Sequence, residues 1–244
     1  MKAIALIPAR LEASRFPKKL LTPILGKSVL LRTYESALQT GLFDDVIVVA
    51  DHDDLINEIV NHGGKAIKSK GTYESGTDRI AEVALHLDAD IFINIQGDEP
   101  FVQKQPLEQL LALFQNPSTQ VGSLVQELKR SEDIKDPNFV KVALSLSHNA
   151  LLFSRNPIPY IRDTQAPVNY YEHIGVYGFK KEALAQFTQW EMSPLEKVEK
   201  IECLRFLEND MRIAMAITNY MGIEIDTPQD IDRAIEFMNK HNLK

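Results

Sequence analysis

Ile91-Phe-Ile-Asn-Ile-Gln-Gly-Asp-Glu-Pro100 is the stretch on which the fold turns. Ile91, Phe92, Ile93 and Ile95 are β-branched or aromatic and read as a buried strand. Gln96 to Pro100 stops it, because Gly97 permits a tight turn and Pro100 cannot continue a ladder. Asp98 and Glu99 therefore stand at the carboxyl end of a core strand. In open α/β sheets that edge is where ligands bind. An acidic turn that merely closes a strand fits the same residues.

Upstream, Lys2 to Ile7 reads as a first strand and Ser28 to Leu38 as an amphipathic helix ended by Gly41. Val46 to Ala50 is a second strand. The acidic turn Asp51 to Asp54 leads into a helix to Val60, Gly63-Gly64 closes it, and Lys65 to Lys68 is a third strand. This βαβαβ order predicts a mostly parallel sheet with helices on both faces. Pro8 to Lys27 shows little helical or strand pattern and carries Arg10, Arg15, Lys18 and Lys19 against Glu12. Clustered cations suit a polyphosphate, and Pro8, Pro17 and Pro23 stiffen the loop; a solvated basic loop fits as well. Ser75 and Asp78 form a capping box, and Ile80, Val83, Ala84 and Leu87 continue at helical spacing. The amino terminus of that helix offers N–H groups to an anion or a base edge.

Downstream, a helix is expected from about Pro106 to Phe114. Val121 to Leu128, Val140 to Leu146 and Tyr171 to Phe179 then read as strands without comparable helices between them. Antiparallel additions to the sheet are the simplest account. Ser154 to Arg162 holds too many prolines for a helix or a central strand. His173, Gly175 and Tyr177 share a strand face. Ser193-Pro194 opens another helix, with Glu196 completing its capping box. On it Val198, Glu202 and Phe206 form one i, i+4 row, with Glu199 on the adjoining face. These acids fit hydrogen bonds from a polyhydroxylated ligand, or ion pairs with Arg205 or a loop arginine. Cys203 packs as a small hydrophobe. Ile223 to Ile225 reads as a short strand, Thr227 and Asp230 as a cap, and Ile231, Ala234, Ile235 and Met238 as the core face of a last helix. Asp226 thus has the same strand-to-helix position as Asp98. Two carboxylates on one sheet edge, opposite a basic loop, suit a hard cation with a nucleoside triphosphate.

Composition sets the bounds. The 244 residues are 44% hydrophobic and 25% charged, with a net charge of −7. That charge disfavours a nucleic-acid or membrane-surface role. A single cysteine forms neither an internal disulfide nor a cysteine metal cluster, which points to a reducing, cytoplasmic setting. No apolar run reaches the roughly 18 residues of a membrane span. No dinucleotide fingerprint, P-loop, nucleophile elbow or His-Glu-x-x-His occurs.

Six motifs in order resemble the 3-deoxy-manno-octulosonate (Kdo) cytidylyltransferase family. They are Ile7-Pro-Ala-Arg10 through Ser14-Arg15-x-Pro17-x-Lys19, Ser75-Gly-Thr-Asp-Arg79, Gln96-Gly-Asp-Glu-Pro100, Ser154-Arg155, His173-x-Gly175-x-Tyr177 and Asp226-Thr-Pro. The resemblance implies a nucleotidyltransferase-type α/β fold, a homodimer, and a reaction in which CTP and Kdo give CMP-Kdo and pyrophosphate with Mg2+ for Gram-negative lipopolysaccharide. It implies one domain over 1–244, with 1–120 and 221–244 as the nucleotide and metal part. Residues 121–220 would be the antiparallel sugar-binding and dimer part. By motif, Arg10, Arg15 and Lys19 would hold the triphosphate, and Arg10, Lys19 and Asp98 would be catalytic. Pro8, Ala9, Ser75, Gly76, Thr77, Arg79 and Gln96 would meet the nucleotide, and Asp98 and Asp226 the metal. Gln96, Arg155, Arg162, His173, Tyr177, Glu199 and Glu202 would face the sugar acid. The chain departs from the family at Lys18, where glycine is usual, and at Glu74 and Cys203, where glutamine is common. Another acidic sugar, a glycosyltransferase reaction and a non-catalytic CTP sensor remain open as rivals.

Overall fold

A computed structural model of the chain describes all residues except 13–15, 74, 220, 221 and 242–244. Arg15 and Glu74 therefore lie outside the described residues. Two compact units are present, residues 1–104 with 221–244, and residues 105–220. The division falls before residue 105 and not near 120. No described helix is long and apolar enough to cross a membrane.

The first unit begins with β1 (Ala3–Ala9), buried along its whole length. A single 3-10 turn (Lys19–Leu21) follows, then β2 (Pro23–Ile24) and β3 (Lys27–Ser28), which pair with each other. The loop expected to be patternless thus contains a small ribbon. After it come α1 (Val29–Gln39), β4 (Asp45–Ala50), α2 (Asp53–Asn61), β5 (Ala66–Lys68), α3 (Gly76–Ala84) and β6 (Ile91–Asn94). β1 pairs in parallel with β4 and β6, and β4 with β5. The order β6-β1-β4-β5 explains the unbroken apolar runs, because central parallel strands are covered on both faces. Helix α1 buries Val29, Leu30, Leu31, Tyr34 and Ala37 and is capped by Ser28, whose Oγ accepts from Leu31 N at 3.1 Å.

Parallel strands bring their carboxyl ends to one edge. Gly97 is required there by space and not by its backbone angles: a Cβ on it would lie 2.9 Å from the Pro8 carbonyl oxygen. The Thr33 hydroxyl holds the same turn by donating to Gly97 O at 2.9 Å. Ile223 to Ile225 is not a strand. It is extended chain tied to the sheet edge by Ile225 N donating to Asp98 O at 3.0 Å. The C-terminal helix (Pro228–His241) follows, packing Phe237 against Phe101 with ring centroids 4.8 Å apart.

The second unit opens with α4 (Lys104–Ala112) and continues through β7 (Val121–Leu128), α5 (Ser131–Lys135), β8 (Lys141–Leu144), β9 (Ala150–Ser154) and β10 (Tyr170–Lys180). Then come α6 (Lys181–Phe187), α7 (Pro194–Glu199), α8 (Leu204–Glu208) and β11 (Ile213–Thr218). β10 runs antiparallel to β7 and β8, β8 and β9 form a hairpin, and β11 is parallel to β7. Sequence patterning misses β9 because Leu151 and Leu152 are exposed, so its apolar residues do not alternate with burial. It misses β11 although Ile213, Met215 and Ile217 recur at period two. The expected single helix across Val198, Glu202 and Phe206 is broken. α7 ends with Lys200 in the left-handed region at φ 54°, and α8 starts at Leu204. The i, i+4 row therefore does not exist, and Val198 is exposed.

Candidate active site

The carboxyl ends of β1 and β6 and the first turn of α3 line a cavity of about 170 Å³. Pro8, Ala9, Arg10, Lys19, Ser75, Gly76, Arg79, Gln96 and Asp98 all reach it, as does Gly97 of the turn, together with Leu20 and Tyr73, which the sequence did not single out. Thr77 does not: it is buried, and its hydroxyl accepts from Asn94 Nδ2 at 3.2 Å. Ser75 caps α3 by accepting from Asp78 N at 3.0 Å. The Arg79 guanidinium is fixed by Ser69 Oγ at 2.6 Å and Asp51 Oδ2 at 3.3 Å, so its charge is already partly engaged. Arg10 is exposed at the mouth.

Lys19 is the centre of this site. Its ammonium lies 2.6 Å from Asp98 Oδ2 and 2.9 Å from Asp226 Oδ1. Burial opposes the charge, but Asp98 and then Asp226 more than offset it and hold the Lys19 pKa above its ordinary value. The two aspartates that the sequence places far apart are thus brought together. Glu224 joins them: carboxylate oxygens of Asp98, Glu224 and Asp226 all lie within 4.8 Å of one another. A signal for Glu224 was available, since in extended chain residues i and i+2 share a face; Ile225 between them is fully buried. Glu224 keeps an exposed surface, yet its carboxyl is crowded. Lost hydration, then Asp98, Glu99 and Asp226, push it well above the usual carboxylate range. An all-oxygen donor set of this size fits a hard divalent cation.

Lys19 is aimed by its neighbour. Lys18 sits at φ 55°, ψ 26°, the left-handed region. Glycine adopts that conformation freely, whereas Lys18 adopts it at a cost of roughly 1–2 kcal/mol. Lys18→Gly removes this cost but adds roughly 0.5–1 kcal/mol of chain entropy. The net expectation is an unchanged or slightly higher melting temperature, measured by thermal unfolding; a drop of several degrees would contradict it.

In the second unit, Glu199 is satisfied internally. Its carboxylate accepts from Ser154 Oγ at 2.8 Å and Arg155 N at 3.0 Å. Arg155 Nε donates to Glu199 O at 2.7 Å and its Nη1 to Pro137 O at 2.8 Å. Glu202 is partly buried and Arg162 is exposed. Arg205 pairs with Glu196, its Nη2 lying 2.7 Å from Glu196 Oε1.

His173 and Tyr177 share a face across a bulge in β10, with rings 5.1 Å apart. Ser123 Oγ fills that bulge, lying 2.8 Å from Val176 O and 3.0 Å from His173 Nε2. The hydroxyl has one proton and gives it to a carbonyl, so Nε2 must be the donor to Ser123 and Nδ1 carries the free lone pair. Burial holds the His173 pKa down to about 3. The unfolded chain binds this proton below about pH 6.5, so stability is full above that pH and is lost as pH falls toward 3. Between pH 7 and pH 5 the loss attributable to His173 is expected to be about 1–2 kcal/mol. Urea unfolding of the wild type and His173→Asn at both pH values checks it; equal losses in the two would refute it. Burial also raises the Tyr177 hydroxyl well above its ordinary pKa, beside the buried thiol of Cys203.

Residues 4–213 match the family described as cytidylyltransferase. A 3-deoxy-manno-octulosonate cytidylyltransferase from Flavobacterium johnsoniae is 51% identical over 96% of this chain and 97% of its own. The enzyme of the same name from Christiangramia forsetii is 48% identical over 98% and 97%. Among solved structures, a CMP:2-keto-3-deoxy-manno-octonic acid synthetase complexed with CTP superposes with a TM-score of 0.93. It is 34% identical, covering 99% of this chain and all of that one. With this agreement along nearly its whole length, the chain belongs to the 3-deoxy-manno-octulosonate cytidylyltransferase family and is a nucleotidyltransferase.

Proposed function

We propose that this chain carries out the reaction its family is named for. CMP passes from CTP to the anomeric hydroxyl of 3-deoxy-D-manno-octulosonate, and pyrophosphate leaves. The observation that carries this reading is the single cavity joining Arg10, Lys19, the first turn of α3 and Asp98. The sugar hydroxyl oxygen forms a bond to the α-phosphorus, the bond from that phosphorus to the β-bridging oxygen breaks, and the hydroxyl proton is lost. Little covalent work falls to the protein, so positioning and charge dominate.

Arg10 and Lys19 would neutralise the triphosphate, with Arg15 on the same loop. Pro8, Ala9, Ser75, Gly76, Arg79 and Gln96 would shape the nucleotide seat. Asp98 and Asp226 would hold Mg2+, which when bound supplies charge neutralisation of phosphate and nucleophile oxygens. Gln96, Arg155, Arg162, His173, Tyr177, Glu199 and Glu202 are the proposed sugar-acid residues. In that role His173 presents a neutral acceptor, Nδ1, suited to a sugar hydroxyl. A homodimeric, cytoplasmic enzyme for lipopolysaccharide synthesis completes the reading.

The test is pyrophosphate release with CTP, Mg2+ and Kdo, against controls lacking each and against sialic acid in place of Kdo. Release that requires all three and favours Kdo is expected. CTP binding with no sugar-dependent release would overturn the assignment.

A further inference from the structure

Lys19 has two claims on it. Its position at the cavity suits a polyphosphate, yet its ammonium bridges Asp98 and Asp226 at 2.6 and 2.9 Å, with only 12% of the side chain exposed. Those two carboxylates, with that of Glu224, are the set placed to hold a divalent cation. A cation bound at about 2.1 Å from oxygen uses the same lone pairs as an ammonium at hydrogen-bonding distance. Two such cations on one pair of carboxylates repel strongly in a partly buried site. We propose that Lys19 is a built-in stand-in cation: its ammonium fills the position between Asp98 and Asp226, a divalent ion must displace it to enter, and the triphosphate favours that exchange by drawing Lys19 away. This rests on the reading of Asp98 and Asp226 as metal ligands.

The geometry favours such an exchange. Lys19 is a flexible four-carbon stem carrying a point charge with three donors, so it can redirect without moving its backbone. The backbone itself is pinned by Leu21 N donating to Lys18 O at 2.9 Å and Thr22 N to Lys19 O at 3.0 Å. The cavity beside it offers Arg10 and the start of α3 to the same anion. The triphosphate therefore receives the lysine while the carboxylates receive the metal. Metal affinity without nucleotide is kept low by an internal competitor, and the competitor is removed by the substrate.

The experiment measures Mn2+ binding to the nucleotide-free full chain by electron paramagnetic resonance. Lys19→Met and Lys19→Gln are expected to bind about tenfold more tightly than wild type, roughly the worth of one charge-assisted hydrogen bond. Lys19→Arg, which keeps the charge, should stay near wild type. A gain below threefold in the uncharged variants overturns the exchange. Should those variants fail to fold, wild type alone decides: reductive methylation of Lys19, read by mass spectrometry, should speed up when Mn2+ saturates the site, and an unchanged or slower rate refutes the proposal. Asp98→Asn separates the two levels. If it binds Mn2+ like wild type, the metal reading itself falls. If it loses Mn2+ while the Lys19 variants gain nothing, only the exchange falls.

Discussion

Asp98→Asn is expected to lower pyrophosphate release by about a hundred- to a thousandfold, the range typical for removing one preorganised electrostatic group from a transition state. The substitution keeps the shape and removes the charge that faces Lys19 at 2.6 Å. It also leaves one fewer anionic ligand in the only cluster of three acidic ligands found among the described residues. The fold should survive, because the contact that ties the C-terminal segment to this turn uses the Asp98 backbone carbonyl, accepting from Ile225 N at 3.0 Å. The measurement is turnover at saturating CTP, Kdo and Mg2+, with circular dichroism as the control for folding. A loss smaller than tenfold would deny Asp98 its place at the reaction centre.

The second large effect is on stability. Arg205→Met should destabilise the second unit by about 3–5 kcal/mol, the usual consequence of stranding one member of a buried ion pair. Both side chains are 4% exposed. The Arg205 fork meets Glu196 through Nε at 2.8 Å and Nη2 at 2.7 Å, and its guanidinium lies 3.9 Å from the Phe187 ring centroid. Glu196 has a second duty, accepting from Ser193 N at 3.1 Å in the capping box of α7. Losing Arg205 therefore removes both guanidinium hydrogen bonds from a buried carboxylate. Urea unfolding gives the number. Combining Arg205→Met with Glu196→Gln should recover part of the loss, since the stranded charge is then gone. A single-variant cost under 1 kcal/mol would show that the pair contributes little.

Much of the first unit was legible because its signals are local. The parallel strands announce themselves as unbroken apolar runs, and Ser28 and Ser75 mark helix starts through bonds to residues three positions on. Legibility failed where a residue's environment comes from afar. Ile223 to Ile225 looks like a strand by composition, yet it is extended chain, held at the sheet edge by a hydrogen bond from Ile225 to Asp98 and by burial of Ile225. Val198, Glu202 and Phe206 keep helical spacing, but Lys200 turns the chain out of the helix between them. Leu151 and Leu152 obscure a strand because they face outward.

The sequence by itself determined the α/β class, the family and the residue types the chemistry needs, since backbone propensity, periodicity and motif order are written within a few positions. It could say that Asp98 and Asp226 each follow a sheet-edge segment. Only the tertiary structure decided that they meet, that Glu224 joins them, and that Lys19 stands between them, 207 positions from Asp226. Periodicity reports which face of an element is turned inward. What that face meets is set by packing between segments distant in the chain, and a charged group's partner follows from that packing alone.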